Sequence, residues 1–216
     1  MGSPLPVHHL VVLSHPQPDS FCGAIARCWQ ERAQHHHQSC DLRDLYRENF
    51  DPVLRANEQP GKEGYTPLPQ NIAERERLEQ LDVLTFVYPV WFGTPPAMLK
   101  GYLERVVGSG IGFGPEADDP KPLANVRLVQ ISTSSSSTPW LNEKGVPSAL
   151  HTLFDTYIAE VFGAHATYRL HLDAITQNMG EQRAAARFRE VQDFADRVCA
   201  EANADRWDRV RAKSES

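Results

Sequence analysis

The segment His15-Pro-Gln-Pro-Asp-Ser-Phe21 carries groups suited to holding an anion. It precedes a stretch with helical spacing, and the first N–H groups of a helix have no partner within that helix. These N–H groups and the positive end of the helix dipole favour a phosphate, to which Ser20 adds a hydroxyl and His15 a ring donor. Alternatively, Ser20 is only the helix N-cap and His15 a turn residue. Asp19 would repel a phosphate unless its carboxylate turns outward or caps the helix.

A second segment, Tyr88-Pro-Val-Trp-Phe-Gly-Thr-Pro-Pro96, places two aromatic residues between prolines. Prolines restrict the backbone, so the rings and peptide N–H groups here would form a rigid wall for a planar ring system. The alternative is that Trp91 and Phe92 are ordinary core or dimer-contact residues.

The third segment, Thr133-Ser-Ser-Ser-Ser-Thr-Pro-Trp140, is a run of small residues. Small residues let the backbone approach a ligand closely, and their N–H groups could stabilise negative charge. A surface loop without a ligand explains these serines equally well.

The elements around these segments alternate between strand and helix. Short apolar runs predict five strands: 7–14, 39–45, 82–88, 126–133 and 166–172. One-sided apolar stripes between them predict helices beginning near Phe21, Pro96, Leu150 and Phe188, with a further polar helix at 71–80. This alternation favours an α/β fold with a doubly wound parallel sheet. Ligands bind such sheets beyond the carboxyl ends of the strands, where all three segments fall.

The length of 216 residues favours one domain, 1–216, with its core at about 7–200. Residues 46–69 carry several Pro and Gly residues and little periodicity, which predicts a long loop. The polar C-terminal tail, 202–216, reads either as a helix extension or as a frayed end.

Composition argues against several classes of protein. The chain has 22 Lys and Arg against 28 Asp and Glu, and the resulting net charge of −6 argues against nucleic acid and anionic membranes as partners. We see no apolar run of the roughly 18 residues needed to insert in a membrane, and no signal-peptide pattern. Four scattered cysteines predict neither a disulfide framework nor a zinc site, which favours a cytoplasmic protein. We expect no metal, because the consecutive His35, His36 and His37 point to different faces of a helix.

The chain resembles the flavodoxin-like NAD(P)H dehydrogenase (quinone) family, which also includes modulators of drug activity and ancillary proteins of potassium-efflux systems. Three strings carry the resemblance: His15–Phe21, Asp44-Leu-Tyr-Arg-Glu-Asn-Phe-Asp-Pro-Val-Leu54, and Tyr88–Val106 with its Pro-Val-Trp-Phe-Gly-Thr-Pro-Pro-Ala-Met-Leu-Lys-Gly-Tyr-Leu-Glu-Arg interior. They stand in family order and cover roughly residues 7–200. The resemblance implies a flavodoxin-like three-layer sandwich whose five parallel strands have the order 2-1-3-4-5.

The resemblance also implies a flavin cofactor, FMN or FAD. It assigns the phosphate to the first loop, the ring to the second and the pyrimidine edge of the ring to the third. The corresponding residues are His15, Ser20, Phe21 and Cys22 in the first loop, Pro89, Val90, Trp91, Phe92 and Gly93 in the second, and Thr133, Ser134 and Ser135 in the third.

The activity implied is two-electron hydride transfer from NAD(P)H, as co-substrate, through the flavin to a quinone or similar acceptor, in a homodimer. One alternative is a flavin-binding regulatory or ancillary subunit of a transporter. Another is a one-electron carrier of the flavodoxin type, although the Pro-rich aromatic second loop argues against it.

Several positions depart from the family pattern. Serines occupy the third loop where relatives have two glycines. Trp140 and Pro147 stand where animal relatives have a tyrosine and a histidine, and Trp140 alone of the two can donate a hydrogen bond. Trp140 is therefore the catalytic candidate, and Trp140 with Phe113 the candidates for substrate contact. We expect Cys22 to be a packing residue rather than a redox thiol.

Overall fold

A computed structural model describes residues 6–59, 63–109 and 121–214. One sheet contains five parallel strands in the order β2-β1-β3-β4-β5, which confirms the predicted order. The strands are β1 (His8–Leu13), β2 (Ser39–Asp44), β3 (Val83–Pro89), β4 (Arg127–Thr133) and β5 (Ala166–Leu172). Four of the five strands lie within their predicted runs, and β3 extends one residue beyond its run, to Pro89. The central strands β1, β3 and β4 are almost entirely buried because both of their faces are covered, whereas the edge strands β2 and β5 are only partly buried.

Seven α-helices and three tighter or wider helical turns complete the described structure. The α-helices are α1 (Phe21–His35), α2 (Pro69–Leu78), α3 (Ala97–Tyr102), α4 (Thr138–Glu143), α5 (Val146–Leu150), α6 (Ile158–Phe162) and α7 (Glu181–Ser214). The 3-10 turn is Ala56–Glu58, and π-helical turns occupy Leu103–Val107 and His151–Tyr157. The segment predicted as the C-terminal tail thus continues α7 as far as Ser214.

Helices cover both faces of the sheet and divide the core in two. On one face, α1 and α7 bury side chains such as Trp29 and Val198 against β1, β3 and β4. On the other face, α2, α3 and α6 bury side chains such as Leu78, Leu99 and Phe162 against the same strands. The sheet is therefore covered on both sides, and its carboxyl edge is left for loops.

Within the predicted long loop, residues 51–58 are tied to α3 and the π-helical turn that follows it. The Arg105 side chain is fully buried, and its Nη2 lies 2.8 Å from Oε1 of Glu58, which is itself 3% exposed. Arg105 also donates to the backbone oxygen of Asp51. A Cβ on Gly101 would lie 2.2 Å from the carbonyl oxygen of Pro52, so only glycine allows this close approach. This part of the predicted loop is thus held by buried polar contacts, and it includes the 3-10 turn Ala56–Glu58.

A series of buried hydrogen bonds crosses the core on the side of α1 and α7. Trp29 Nε1 donates to His9 Nδ1 at 3.3 Å, which places the ring proton on Nε2. That nitrogen donates to Gln38 Oε1 at 2.7 Å, and Gln38 Nε2 donates to the Cys199 carbonyl at 2.9 Å. Burial of His9 lowers its pKa from 6.5 to about 4.

Acid should destabilise the fold through His9. Between pH 6.5 and about 4 the unfolded chain binds a proton at this site and the native chain does not, so stability falls as the pH falls. The expected loss from this group is about 3 kcal/mol across that window. Urea unfolding at several pH values measures it, and His9→Gln should have a shallower dependence. An equal slope in the two proteins would contradict this assignment.

Among the described residues, we find no helix that is both long enough and apolar enough to cross a bilayer.

Candidate functional site

A cavity of about 600 Å³ opens at the carboxyl edge of the sheet. This volume is in the range of small-molecule and cofactor sites. The predicted residues that line it are His15, Ser20, Phe21, Cys22, Pro89, Val90, Trp91, Thr133, Ser134 and Ser135. They come from three separate loops, which meet because β1, β3 and β4 are neighbours in the sheet.

The start of α1 forms one wall of the cavity. Ser20 is the N-cap, and its Oγ accepts the Gly23 N–H at 3.1 Å. The first helical hydrogen bond runs from Ala24 N–H to the Ser20 carbonyl, at 3.0 Å. The N–H groups of Phe21 and Cys22 precede that bond, so no helical carbonyl reaches them. The cap thus leaves two N–H groups and the positive end of the helix dipole for an anion.

Asp19 also lines this end of the cavity. It is exposed, and it does not cap the helix, a role that Ser20 takes. Its carboxylate therefore adds negative charge beside the N–H groups.

The His15 ring lies between the first and second loops. Its Nδ1 accepts the Gln17 N–H at 3.1 Å, so the proton of the neutral ring is on Nε2 and can be donated to a ligand. The ring is tilted against that of Trp91, with centroids 5.6 Å apart. Burial lowers the His15 pKa below 6.5, so the ring is neutral at pH 7.

The second loop contains a tight turn between Trp91 and Thr94. Trp91 N–H donates to Thr94 O at 2.9 Å, and Thr94 N–H donates to Trp91 O at 3.1 Å. Phe92 and Gly93 form the tip of the turn with φ of 52° and 81°. Positive φ at both tip positions is the pattern of a type I′ turn, which glycine adopts easily and phenylalanine rarely. Neither residue lines the cavity, and the Phe92 side chain is fully exposed.

The third loop is joined to the residues that follow β5. Ser134 N–H donates to Leu172 O at 3.1 Å, and Ile175 N–H donates to Ser134 O at 2.8 Å. In the described structure, the backbone N–H of Ser135 makes no such bond and remains available to a ligand. Serine in place of glycine is thus compatible with a backbone donor at this edge.

Cys22 lies where the first and third loops touch. Its Sγ is 3.3 Å from Thr133 Oγ1, and the residue is 2% exposed. Burial raises the pKa of the thiol to about 11, so Cys22 is uncharged at pH 7. The thiol packs between the loops.

A fourth loop, after β5, was missed by the sequence analysis. It and the start of α7 contribute Ile175, Thr176, Gln177, Met179, Ala184 and Phe188 to the lining, while the first loop and α1 add Gln17, Asp19 and Ala24. Its position could have indicated a role in binding, because this loop also leaves the carboxyl end of a predicted strand. It carries no motif of its own.

Of the two candidates for substrate contact, Trp140 is described and does not line the cavity. Trp140 is on α4 with half of its surface exposed, and Lys144 Nζ lies 6.0 Å from its ring centroid. The Pro147 carbonyl accepts a bond from Arg169 at 3.3 Å. Phe113 lies outside the described residues.

The described residues contain no group of three or more His, Cys, Asp or Glu side chains arranged to hold a metal ion. Of the three consecutive histidines, His36 lies 2.9 Å from Asp196 Oδ1 through its Nε2.

Comparison with known proteins gives a family match over most of the chain. A family model described as "Flavodoxin-like fold" matches residues 7–197. A Haemophilus influenzae protein named "Uncharacterized NAD(P)H oxidoreductase" is 34% identical over 149 residues, which are 67% of this chain and 73% of that protein.

Two further relatives carry more specific names. The Cavia porcellus protein named "NAD(P)H dehydrogenase [quinone] 1" is 29% identical over 157 residues, 63% of this chain and 56% of its own length. A solved structure named "NAD(P)H:quinone oxidoreductase from Methanothermobacter marburgensis" superposes with a TM-score of 0.73 at 18% identity, covering 90% of this chain and all of that one. This last likeness concerns the fold.

Proposed function

We propose that this chain, which belongs to the flavodoxin-like fold family, is a flavin-dependent NAD(P)H:quinone-type oxidoreductase. The convergence of three loops supports this most directly: ten of the twelve residues predicted to bind flavin line one cavity at the carboxyl edge of the sheet. The names of the curated relatives point to the same activity.

The donor set at the start of α1 fits a flavin phosphate. The N–H groups of Phe21 and Cys22 and the Ser20 hydroxyl face the same end of the cavity. His15 Nε2–H adds a neutral donor. Charged hydrogen bonds to backbone N–H groups are among the stronger ones in proteins, so this end would hold the phosphate.

The other walls fit a planar ring. Pro89, Val90 and Trp91 form one side, with Val90 N–H fixed to Thr133 O at 2.7 Å. On the third loop, Ser135 would offer its N–H to the polar edge of the ring. A flavin bound here would supply the two-electron redox chemistry between NAD(P)H and a quinone. The protein orients it, and the uncharged Cys22 thiol takes no electrons.

We propose FMN or FAD as the cofactor and one shared pocket for NAD(P)H and the quinone. Trp140 is retained as the proposed catalytic and substrate-contacting side chain, because its indole N–H is the donor that this chain offers at the corresponding family position. Phe92 and Gly93 are retained at the rim of the site. A cytoplasmic location is supported by four cysteines that are all free thiols.

The purified protein provides the test of this function. We expect a yellow protein whose released cofactor has the mass of FMN or FAD, bleached by NADPH or NADH and reoxidised by a quinone in stopped-flow mixing. Bleaching without reoxidation would favour the regulatory-subunit alternative. A colourless protein that binds no added flavin would reject the proposal.

We also propose a homodimer. An apolar groove of about 470 Å³ lies between the π-helical turn 103–107 and the segment 151–162, lined by Leu103, Phe154 and Val161 among others. Leu153 and Tyr157 at this groove are 55% and 58% exposed. A second copy would cover this surface, because exposed apolar patches of this kind mark interfaces.

A charge in that groove should separate the two copies. Leu153→Glu is expected to give a monomer by analytical ultracentrifugation at concentrations where the native protein is a dimer, because an unpaired carboxylate is costly to bury. Ser148→Glu, on exposed surface outside the groove, is the control. A native protein that sediments as a monomer would rule out the dimer.

A further inference from the structure

Behind the third loop, the His171 ring of β5 connects two buried serine hydroxyls. Its Nδ1 lies 2.8 Å from Ser132 Oγ, and its Nε2 lies 3.1 Å from Ser134 Oγ. Ser132 and Ser134 are 4% and 5% exposed. Ser134 lines the cavity, and the His171 ring contacts its hydroxyl from within the protein.

The hydrogen bonds of Ser134 determine where the ring carries its proton. Ser134 Oγ donates its one hydrogen to the carbonyl of Ser136 at 2.9 Å, so toward His171 it can only accept. His171 Nε2 must therefore bear the hydrogen. Nδ1 is then the acceptor, and it receives the Ser132 hydroxyl. The neutral Nε2–H tautomer satisfies all three groups.

This network closes the turn from which Ser135 presents its N–H. Backbone bonds join Ser134 to Leu172 and Ile175, and the hydroxyl bond to Ser136 completes the turn. His171 therefore acts on the cavity through Ser134.

We propose that His171 is a positioning residue whose neutral Nε2–H tautomer holds the third loop in the form that binds flavin. The proposal rests on the proposed function. A second ring proton would leave the Nε2–H bond to Ser134 in place but make Nδ1 a donor, so the buried Ser132 hydroxyl would lose the acceptor of its hydrogen. The network that holds the third loop would then be broken at its Ser132 end. Flavin affinity should therefore fall in acid.

The charges around the ring fix the direction of this effect. Burial lowers the His171 pKa below 6.5, Arg169 and Arg187 lower it further, and Asp173 opposes them. The ring is thus neutral at pH 7, and the affinity is present above the His171 pKa and lost as the pH falls through it.

Three proteins test the role of His171: the native chain, His171→Gln and His171→Phe. Glutamine offers one acceptor and one donor at every pH, whereas phenylalanine offers neither. Dissociation constants of riboflavin, which lacks the phosphate that itself titrates at about pH 6, are measured by flavin fluorescence from about pH 5 to 8. We expect native affinity to fall about tenfold in acid, His171→Gln to stay within about twofold throughout, and His171→Phe to be about tenfold weaker at the upper pH.

Two further measurements keep the outcomes separate. Nitrogen-15 NMR of the ring in the flavin-free protein should show an unprotonated Nδ1, and the opposite tautomer would overturn the proposal. If His171→Phe does not fold, Ser132→Ala removes the contact at Nδ1 and leaves Ser134 unchanged, and it should also weaken flavin binding. Native protein that binds neither FMN nor FAD at any pH would reject the proposed function. Native-like binding by His171→Phe, or an unchanged pH profile in His171→Gln, would reject only the role of His171.

Discussion

Ser20→Asp is expected to weaken FMN binding at least about 100-fold, whereas Ser20→Asn should bind within a few fold of the native chain. Ser, Asp and Asn are all good N-caps, so each keeps the acceptor for the Gly23 N–H and the start of α1. Only Asp places a carboxylate against the phosphate, at a residue that is 7% exposed. Like charges a few ångströms apart in such a site repel by several kcal/mol.

Riboflavin, which lacks the phosphate, provides the internal control for this substitution. Its affinity should be similar in the Ser20→Asp and Ser20→Asn proteins, because no charge opposes the carboxylate. Titration of each protein with FMN and with riboflavin, followed by fluorescence, measures both effects. Equal losses for the two ligands would mean that the carboxylate disturbs the loop itself, and the phosphate would then bind elsewhere.

The second large effect is expected from Arg105→Met, which should lower the free energy of unfolding by about 3–5 kcal/mol. The substitution keeps an apolar stem but leaves the Glu58 carboxylate buried, at 3% exposure, without its cation. Urea unfolding at neutral pH measures the loss. Since the pair attaches residues 51–58 to the helical turn 103–107, limited proteolysis should also cut residues 51–58 faster.

Two controls separate the buried charge from a general packing defect. Adding Glu58→Gln to Arg105→Met should restore part of the lost stability, because the uncompensated charge is removed. Arg47→Met, which breaks the exposed pair with Asp44, should cost less than about 1 kcal/mol. If Arg105→Met also costs under about 1 kcal/mol, the buried pair does not hold the segment.

The strands and the first functional helix could be predicted from the sequence because their signals are local. A strand buried on both faces is an apolar run, and the runs near Val11, Phe86 and Val129 meet that condition. Such a run can be recognised without knowing how the strand pairs with its neighbours. Ser20 lies just before an apolar stripe, and a cap depends on only three following residues. The order of the strands and the roles of the loop residues came from the family resemblance.

The hydrogen-bond pattern within two helices and one tight turn could not be predicted in this way. The two π-helical turns, 103–107 and 151–157, follow ordinary helical stripes, and local spacing does not distinguish an i→i+5 bond from an i→i+4 bond. The turn that exposes Phe92 depends on two backbone bonds across Trp91 and Thr94.

Local sequence patterns were enough to locate the strands, their alternation with helices and the three loops that leave their carboxyl ends. The fourth loop, after β5, and the contact of His171 with the third loop emerge only in the folded chain. They depend on the pairing of β4 with β5, which puts Ser132 opposite His171 although 39 residues separate them in the chain.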